Sequence, residues 1–102
     1  RDFTYVDDIV QGFNSAITKK LDFEIINLGC GNPVDLMDYI KTLEKSLGVT
    51  AKKNMKPLQP GDVPATWADI SKAKKLLGYN PKTSVKSGVP KFVDWYLKYY
   101  NV

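Results

Sequence analysis

Arg1-Asp2-Phe3-Thr4-Tyr5-Val6-Asp7-Asp8 opens the chain, and its reading decides the rest. The first residues read as a short strand that runs straight into a helix. Val6, Ile9, Val10, Phe13, Ala16 and Ile17 then recur at helical spacing, which predicts a helix over 7–19. Asp7 or Asp8 can accept from the free N–H groups at its start, where negative charge is also favoured. An opening strand needs neighbours, and nothing before Arg1 supplies them. The expectation is that residues 1–102 are the C-terminal piece of a larger protein.

Working outward, Phe23 to Leu28 is a short, mostly apolar run closed by Gly29-Cys30-Gly31-Asn32-Pro33. It reads as a buried strand ending in a tight turn. Leu36, Tyr39, Ile40, Leu43 and Leu47 make a second helical stripe, with Asp35 as N-cap and Gly48 as left-handed stop. Residues 50–56 are a weak strand candidate, 57–62 a loop, and 65–68 another short strand candidate. Asp69 or Ser71 caps a short helix that turns Ile70, Ala73, Leu76 and Leu77 inward and closes at Gly78. Val85, Val89, Phe92, Val93, Tyr96 and Tyr100 form the last stripe. Pro90 lies inside it, so that helix is expected to kink or to begin only near Ser87. The order reads as the last parallel strand unit of an α/β sheet followed by a small α/β domain.

At 102 residues this is one domain at most, and 43% hydrophobic residues suffice for a core. No apolar run approaches the roughly 18 residues that cross a bilayer, so no membrane contact is expected. A lone Cys30 cannot form an internal disulfide or a zinc site, and points to a reducing, cytoplasmic setting. Histidine is absent, which excludes a histidine base, a Ser-His-Asp triad and a His-ligated metal within these residues. The net charge is +4, with lysines grouped at 19–20, 52–56 and 72–75. They form either an anion-binding face or an ordinary solvated surface. Arg1 is the sole arginine, which argues against nucleic acid.

Four segments could carry chemistry. Arg1 is either a surface residue or a bidentate clamp for phosphate or carboxylate. The turn at 29–33 lies where α/β sheets bind ligands, but it lacks the G-x-G-x-x-G pattern and can equally be a plain turn. Gln59-Pro60-Gly61-Asp62 is stiffened by proline and offers an amide and a carboxylate to a polyol such as ribose. It too can be a simple turn. The aromatic run Trp95-Tyr96-Leu97-Lys98-Tyr99-Tyr100 could stack bases, but its spacing suits a helix laid on a core.

R-D-F-T-Y-V-D-D at 1–8, I-N-L-G at 26–29, P-V-D-L-M-D-Y-I at 33–40, L-Q-P-G-D-V at 58–63, T-W-A-D at 66–69 and F-V-D-W-Y at 92–96 occur in this order. Together they resemble the C-terminal third of nucleotide-sugar 4-epimerases, extended members of the short-chain dehydrogenase/reductase superfamily. The UDP-glucuronate 4-epimerase subgroup is the most similar. The resemblance implies an extended Rossmann-type parent, with NAD and a tyrosine–lysine pair in an N-terminal domain and the nucleotide-sugar gripped by this segment. By resemblance Arg1 would contact the diphosphate, Val34 would line the uridine pocket and Asp62 would hydrogen-bond the ribose. Gln59 would replace an arginine that contacts the diphosphate in many relatives, and Phe3 would stand as an aromatic beside the ligand. No catalytic, cofactor-binding or metal residue is carried over, because the chain has neither a G-x-x-G-x-x-G nor a Y-x-x-x-K. Pro90 also departs from the family pattern, where a polar residue usually stands.

The resemblance implies a UDP-sugar-binding portion of an NAD-dependent 4-epimerase, inactive by itself, whose parent interconverts UDP-glucuronate and UDP-galacturonate as a homodimer. Two alternatives stand beside it: the substrate domain of a nucleotide-sugar dehydratase or decarboxylase, and a non-catalytic anion-binding module.

Overall fold

Four helices carry the fold of the computed structural model, which describes residues 1–102: α1 (Val6–Thr18), α2 (Leu36–Leu47), α3 (Ser71–Leu77) and α4 (Val85–Tyr100). Local chemistry explains three of their starts. Asp35 accepts from the Met37 N–H at 2.7 Å, Asp69 from the Ser71 N–H at 2.9 Å, and Ser84 from the Ser87 N–H at 3.3 Å. Gly48 and Gly78 end α2 and α3 in the left-handed conformation. Helix α1 departs from expectation, because no side chain caps it. Asp8 instead reaches across the chain and accepts from the N–H groups of Lys82 (3.2 Å) and Thr83 (2.9 Å).

Helix α4 starts at Val85, not near Ser87, and continues through Pro90 to Tyr100. Pro90 is exposed, so the ring meets solvent and the bond it forfeits lies on the outer face.

None of the expected strands forms. Residues 1–5, 23–28, 50–56 and 65–68 lack regular strand pairing, so the parallel unit and the α/β sheet are not present within this chain. A strand is defined by a partner's ladder of N–H and C=O groups, and apolar composition alone cannot provide one. The nearest approach is a reciprocal pair: the Arg1 amine donates to the Val34 carbonyl at 3.0 Å and the Val34 N–H donates to the Arg1 carbonyl at 2.9 Å.

The core is small. Ile70, Ala73, Leu77 and Tyr79 are buried together, with Ala16, Leu21, Ile26, Leu28, Ala68 and Leu76 packed around them. Val89 and Val93 are buried on the inner face of α4, which packs against α2. Two apolar stripes face outward. Val6, Val10, Phe13 and Ile17 are exposed on α1, as are Phe92, Tyr96 and Tyr100 on α4. The helix faces are amphipathic as predicted, but no second layer within residues 1–102 covers them. The radius of gyration, 16.4 Å, exceeds the roughly 13 Å of a compact domain this size, and the extents of 49 × 36 × 19 Å describe a slab. No helix is long and apolar enough to cross a membrane.

Burial pushes the Asp8 carboxyl up, but hydrogen bonds from Thr83 and Lys82 outweigh it and hold the group below its ordinary 3.8. A depressed folded pKa gives stability that is complete above the unfolded value, about 3.9, and lost as pH falls through the folded one. Asp8→Asn should therefore cost roughly 1.5–3 kcal/mol at pH 7. The gap to the parent should narrow below about pH 4 in denaturant titrations. A gap of equal size at pH 7 and pH 2.5 would assign the loss to packing instead of charge.

Candidate functional site

Three separated segments meet at the Arg1 end of the slab. The Gln59–Asp62 turn closes through the Asp62 N–H to the Gln59 carbonyl at 3.1 Å, with Gly61 at φ 85°. Proline at the second position and a positive-φ glycine at the third are what such a turn requires. The turn presents Asp62 to Arg1. One Arg1 terminal nitrogen, Nη2, donates to Asp62 Oδ1 at 2.5 Å, and the other, Nη1, to the Val63 carbonyl at 2.7 Å. Asp62 Oδ1 also accepts from the Val63 N–H at 2.9 Å. The backbone pair between Arg1 and Val34 brings the third segment alongside.

Arg1, Val34 and Asp62, which the resemblance singled out, thus stand together. Gln59 enters through its backbone carbonyl, and its exposed side chain makes no hydrogen bond within the chain. Phe3 stacks on Tyr39, with ring centroids 4.0 Å apart and planes 17° from parallel. The two rings form part of the wall of an apolar cavity of about 240 Å³, shared with Tyr5, Val85, Val89 and Phe92.

Sequence reasoning missed Asp2, which holds this assembly together. Its Oδ2 accepts from the N–H groups of Gly31 and Ala68, each at 3.0 Å, while its Oδ1 is buried without a hydrogen bond in the chain. Those partners lie 29 and 66 residues away. No local signal marks Asp2, and only its place between Arg1 and Phe3 hints at it. Gly29 sits so close that an added Cβ would come within 2.6 Å of the Ala68 Cβ and 2.7 Å of Asp2 Oδ2. Tyr79 closes the other side by donating to the Gly29 carbonyl at 2.8 Å.

These contacts decide what the 29–33 turn can do. The Gly31 amide serves Asp2, and the space beside Gly29 is filled, so the turn is no cradle for a dinucleotide pyrophosphate. Burial, with the Asp2 and Asp8 carboxylates behind it, pushes the Cys30 thiol up and keeps it protonated, an unsuitable nucleophile. The lysine clusters are partly neutralised: Lys53 pairs with Glu44, and Lys72 with Glu24 at 2.7 Å. The aromatic end of α4 is not core. Trp95, Tyr99 and Tyr100 are half or more exposed; Trp95 stacks on Tyr99, and Tyr99 meets Tyr100 edge-on.

The profile of the family described as GDP-mannose 4,6 dehydratase matches residues 1–92, and the chain belongs to that family. Among curated relatives, an uncharacterised protein of Methanocaldococcus jannaschii is 50% identical over 98 residues, 96% of this chain and 30% of its own. A UDP-glucuronate 4-epimerase of Thermodesulfobacterium geofontis is 47% identical over 96 residues, 93% of this chain and 29% of its own. Among solved structures, a UDP-glucuronic acid 4-epimerase from Bacillus cereus in complex with UDP-glucuronic acid and NAD superposes with a TM-score of 0.88 at 40% identity. That match covers 98% of this chain and 32% of the other. The resemblance to nucleotide-sugar 4-epimerases of the extended short-chain dehydrogenase/reductase superfamily therefore holds, and the chain spans about a third of the length of the relatives it matches.

Asp2→Ala should strand two backbone donors and release both the 29–33 turn and the 65–68 segment. The expected cost is at least roughly 1–3 kcal/mol, the range for a polar group left unsatisfied. Asp2→Asn, which keeps an acceptor oxygen, should recover part of it in thermal unfolding. Equal losses for both variants would mean that the charge of Asp2, not its geometry, is what matters.

Proposed function

We propose that residues 1–102 are the C-terminal, UDP-sugar-holding portion of an NAD-dependent UDP-glucuronate 4-epimerase. The observation that carries this reading is the meeting of Arg1, Val34 and Asp62 at one edge of the fold, from segments more than 25 residues apart in sequence. A guanidinium suits a diphosphate, an apolar branched residue suits a nucleobase face, and a carboxylate suits vicinal ribose hydroxyls. Arg1 then binds the diphosphate and Val34 flanks the uracil. Asp62 accepts from the ribose, Gln59 reaches the diphosphate and Phe3 walls the ligand. The likeness to the Bacillus cereus enzyme solved with UDP-glucuronic acid and NAD supports the same reading.

NAD does not fit the residues present here, because the glycine turn is internally satisfied. The cofactor and the proton-transferring groups belong to a preceding domain, and no chemical step runs through residues 1–102. Their task is to retain the nucleotide while the sugar changes face, so binding is concentrated in the UDP portion. The exposed stripe of α1, together with Phe23 and Ile25, is the surface on which the preceding domain packs, giving the Rossmann-type whole its second layer. The whole enzyme is a cytoplasmic homodimer.

The full-length enzyme should convert UDP-glucuronate to UDP-galacturonate with NAD bound, while residues 1–102 alone give no turnover above buffer. Turnover by the isolated chain, or none by the full-length protein with this substrate, would overturn the reading. In the full-length enzyme, Arg1→Ala should weaken UDP more than uridine, by roughly 1.5–3 kcal/mol in calorimetric titration, as expected for a deleted charge-assisted hydrogen bond. Equal losses for the two ligands would remove Arg1 from the phosphate.

A further inference from the structure

Asp62 divides its two carboxylate oxygens. Oδ1 is fully engaged, accepting from Arg1 Nη2 and from the Val63 N–H, while Oδ2 makes no hydrogen bond within the chain. Arg1 is divided in the same way. Two of its five N–H donors go to Asp62 and to the Val63 carbonyl, and the remainder are free. The pair is also half in solvent, with side-chain exposures of 40% and 49%. An ion pair so placed adds little to fold stability.

From this we infer that Asp62 is a positioning residue for Arg1 as well as a ribose acceptor, so that the pair couples recognition of the ribose to recognition of the diphosphate. This inference rests on the nucleotide-sugar reading. The Asp62 Oδ1 atom and the Val63 carbonyl hold the guanidinium by its two terminal nitrogens, which fixes the plane of the fork before any ligand arrives. The free N–H groups then face outward as a preformed anion site, and Oδ2 remains available beside them for a hydroxyl. A carboxylate next to an arginine could also compete with phosphate for it, so magnitudes must decide the sign. Ordering a free arginine side chain costs up to about thirtyfold in binding. The Coulomb attraction of an exposed pair is worth at most about fivefold. Preorganisation wins, and removing Asp62 weakens phosphate binding.

The test is calorimetric titration of UDP and uridine against the full-length enzyme and its Arg1→Ala, Asp62→Ala, Asp62→Asn and doubly substituted Arg1→Ala/Asp62→Ala forms. Asp62→Ala should weaken UDP by about tenfold more than it weakens uridine. That excess should vanish in the Arg1→Ala background, because there is then no guanidinium to position. Asp62→Asn keeps the oxygen but not the charge, and should fall between. If Asp62→Ala fails to fold, the same comparison with Asp62→Asn decides. Melting temperatures of folded variants should stay close to the parent, as an exposed pair predicts. Equal loss for UDP and uridine, unchanged by Arg1→Ala, would overturn the coupling and leave Asp62 a ribose contact alone. Tighter UDP binding by Asp62→Ala would overturn it in favour of competition. If the parent bound UDP no better than uridine, or Arg1→Ala left UDP untouched, the nucleotide-sugar reading itself would fail.

Discussion

One carboxylate oxygen organises this molecule. Asp2 Oδ2 accepts from Gly31 and Ala68, so a single acceptor ties residue 2 to segments 29 and 66 positions along the chain. Both bonds go to backbone donors, the one from Ala68 in a partly buried place where an unpaired N–H is costly. The residues flanking Asp2 are Arg1 and Phe3, and both inherit their places from it. With residue 2 fixed, Arg1 lies against Val34 on one side and the 59–63 turn on the other, and Phe3 reaches Tyr39 on α2. Asp8, six residues on, repeats the device, holding residues 82 and 83 and so the approach to α4. Long-range carboxylate-to-backbone bonds thus do here what a sheet ladder does in a complete α/β domain.

That explains what could be read from the sequence and what could not. The Asp35 cap of α2, the Asp69 bond to the Ser71 N–H at the start of α3 and the glycine stops are local chemistry, settled within four residues. The helical stripes are equally local, so α1 and α4 were legible as helices. Which layer each stripe faces is not local. The aromatic end of α4 was read as laid on a core and lies outward, because the partner surface is not encoded in its own spacing. The same holds for Phe23–Leu28, whose composition is that of a buried strand but whose ladder must come from elsewhere. Asp2 was illegible for a related reason: an aspartate in a short extended run looks like any surface acid until its distant donors are known. The chemistry of Arg1, Gln59 and Asp62 left each of them with a plain alternative, and Val34 and Phe3 were named through the resemblance alone.

The small core and the exposed faces are two sides of one constraint. Ile70, Ala73, Leu77 and Tyr79 give α3 a firm seat against α1 and the 26–28 run. Here apolar side chains from three segments close over one another. The other side of α1 and the aromatic end of α4 remain open, in a slab 19 Å thick along its thinnest axis. A single layer of helices can bury one face of each helix and no more. The firm seat lies directly beneath the Gly29 carbonyl that Tyr79 holds, so the best-packed part of the chain supports the turn next to Arg1.

Such a division suits the proposed role, which is holding a nucleotide rather than doing chemistry. Arg1 and Asp62 are half exposed, which suits the proposed contact with a solvated anion, yet their hydrogen bonds hold both in place. Rigidity comes from below, through Asp2, Gly29 and Tyr79, and the charged tips spend little of it on fold stability. A buried arginine–carboxylate pair would be the opposite arrangement. Its desolvation would burden folding, and it would have to be broken to admit a ligand. An exposed pair standing on a buried carboxylate avoids both costs. It keeps its donors open to solvent and still presents them in one orientation. The unbonded oxygen of Asp2 is buried, whereas that of Asp62 belongs to a half-exposed side chain, so of the two it is Asp62 that the proposed reading can set against a ligand.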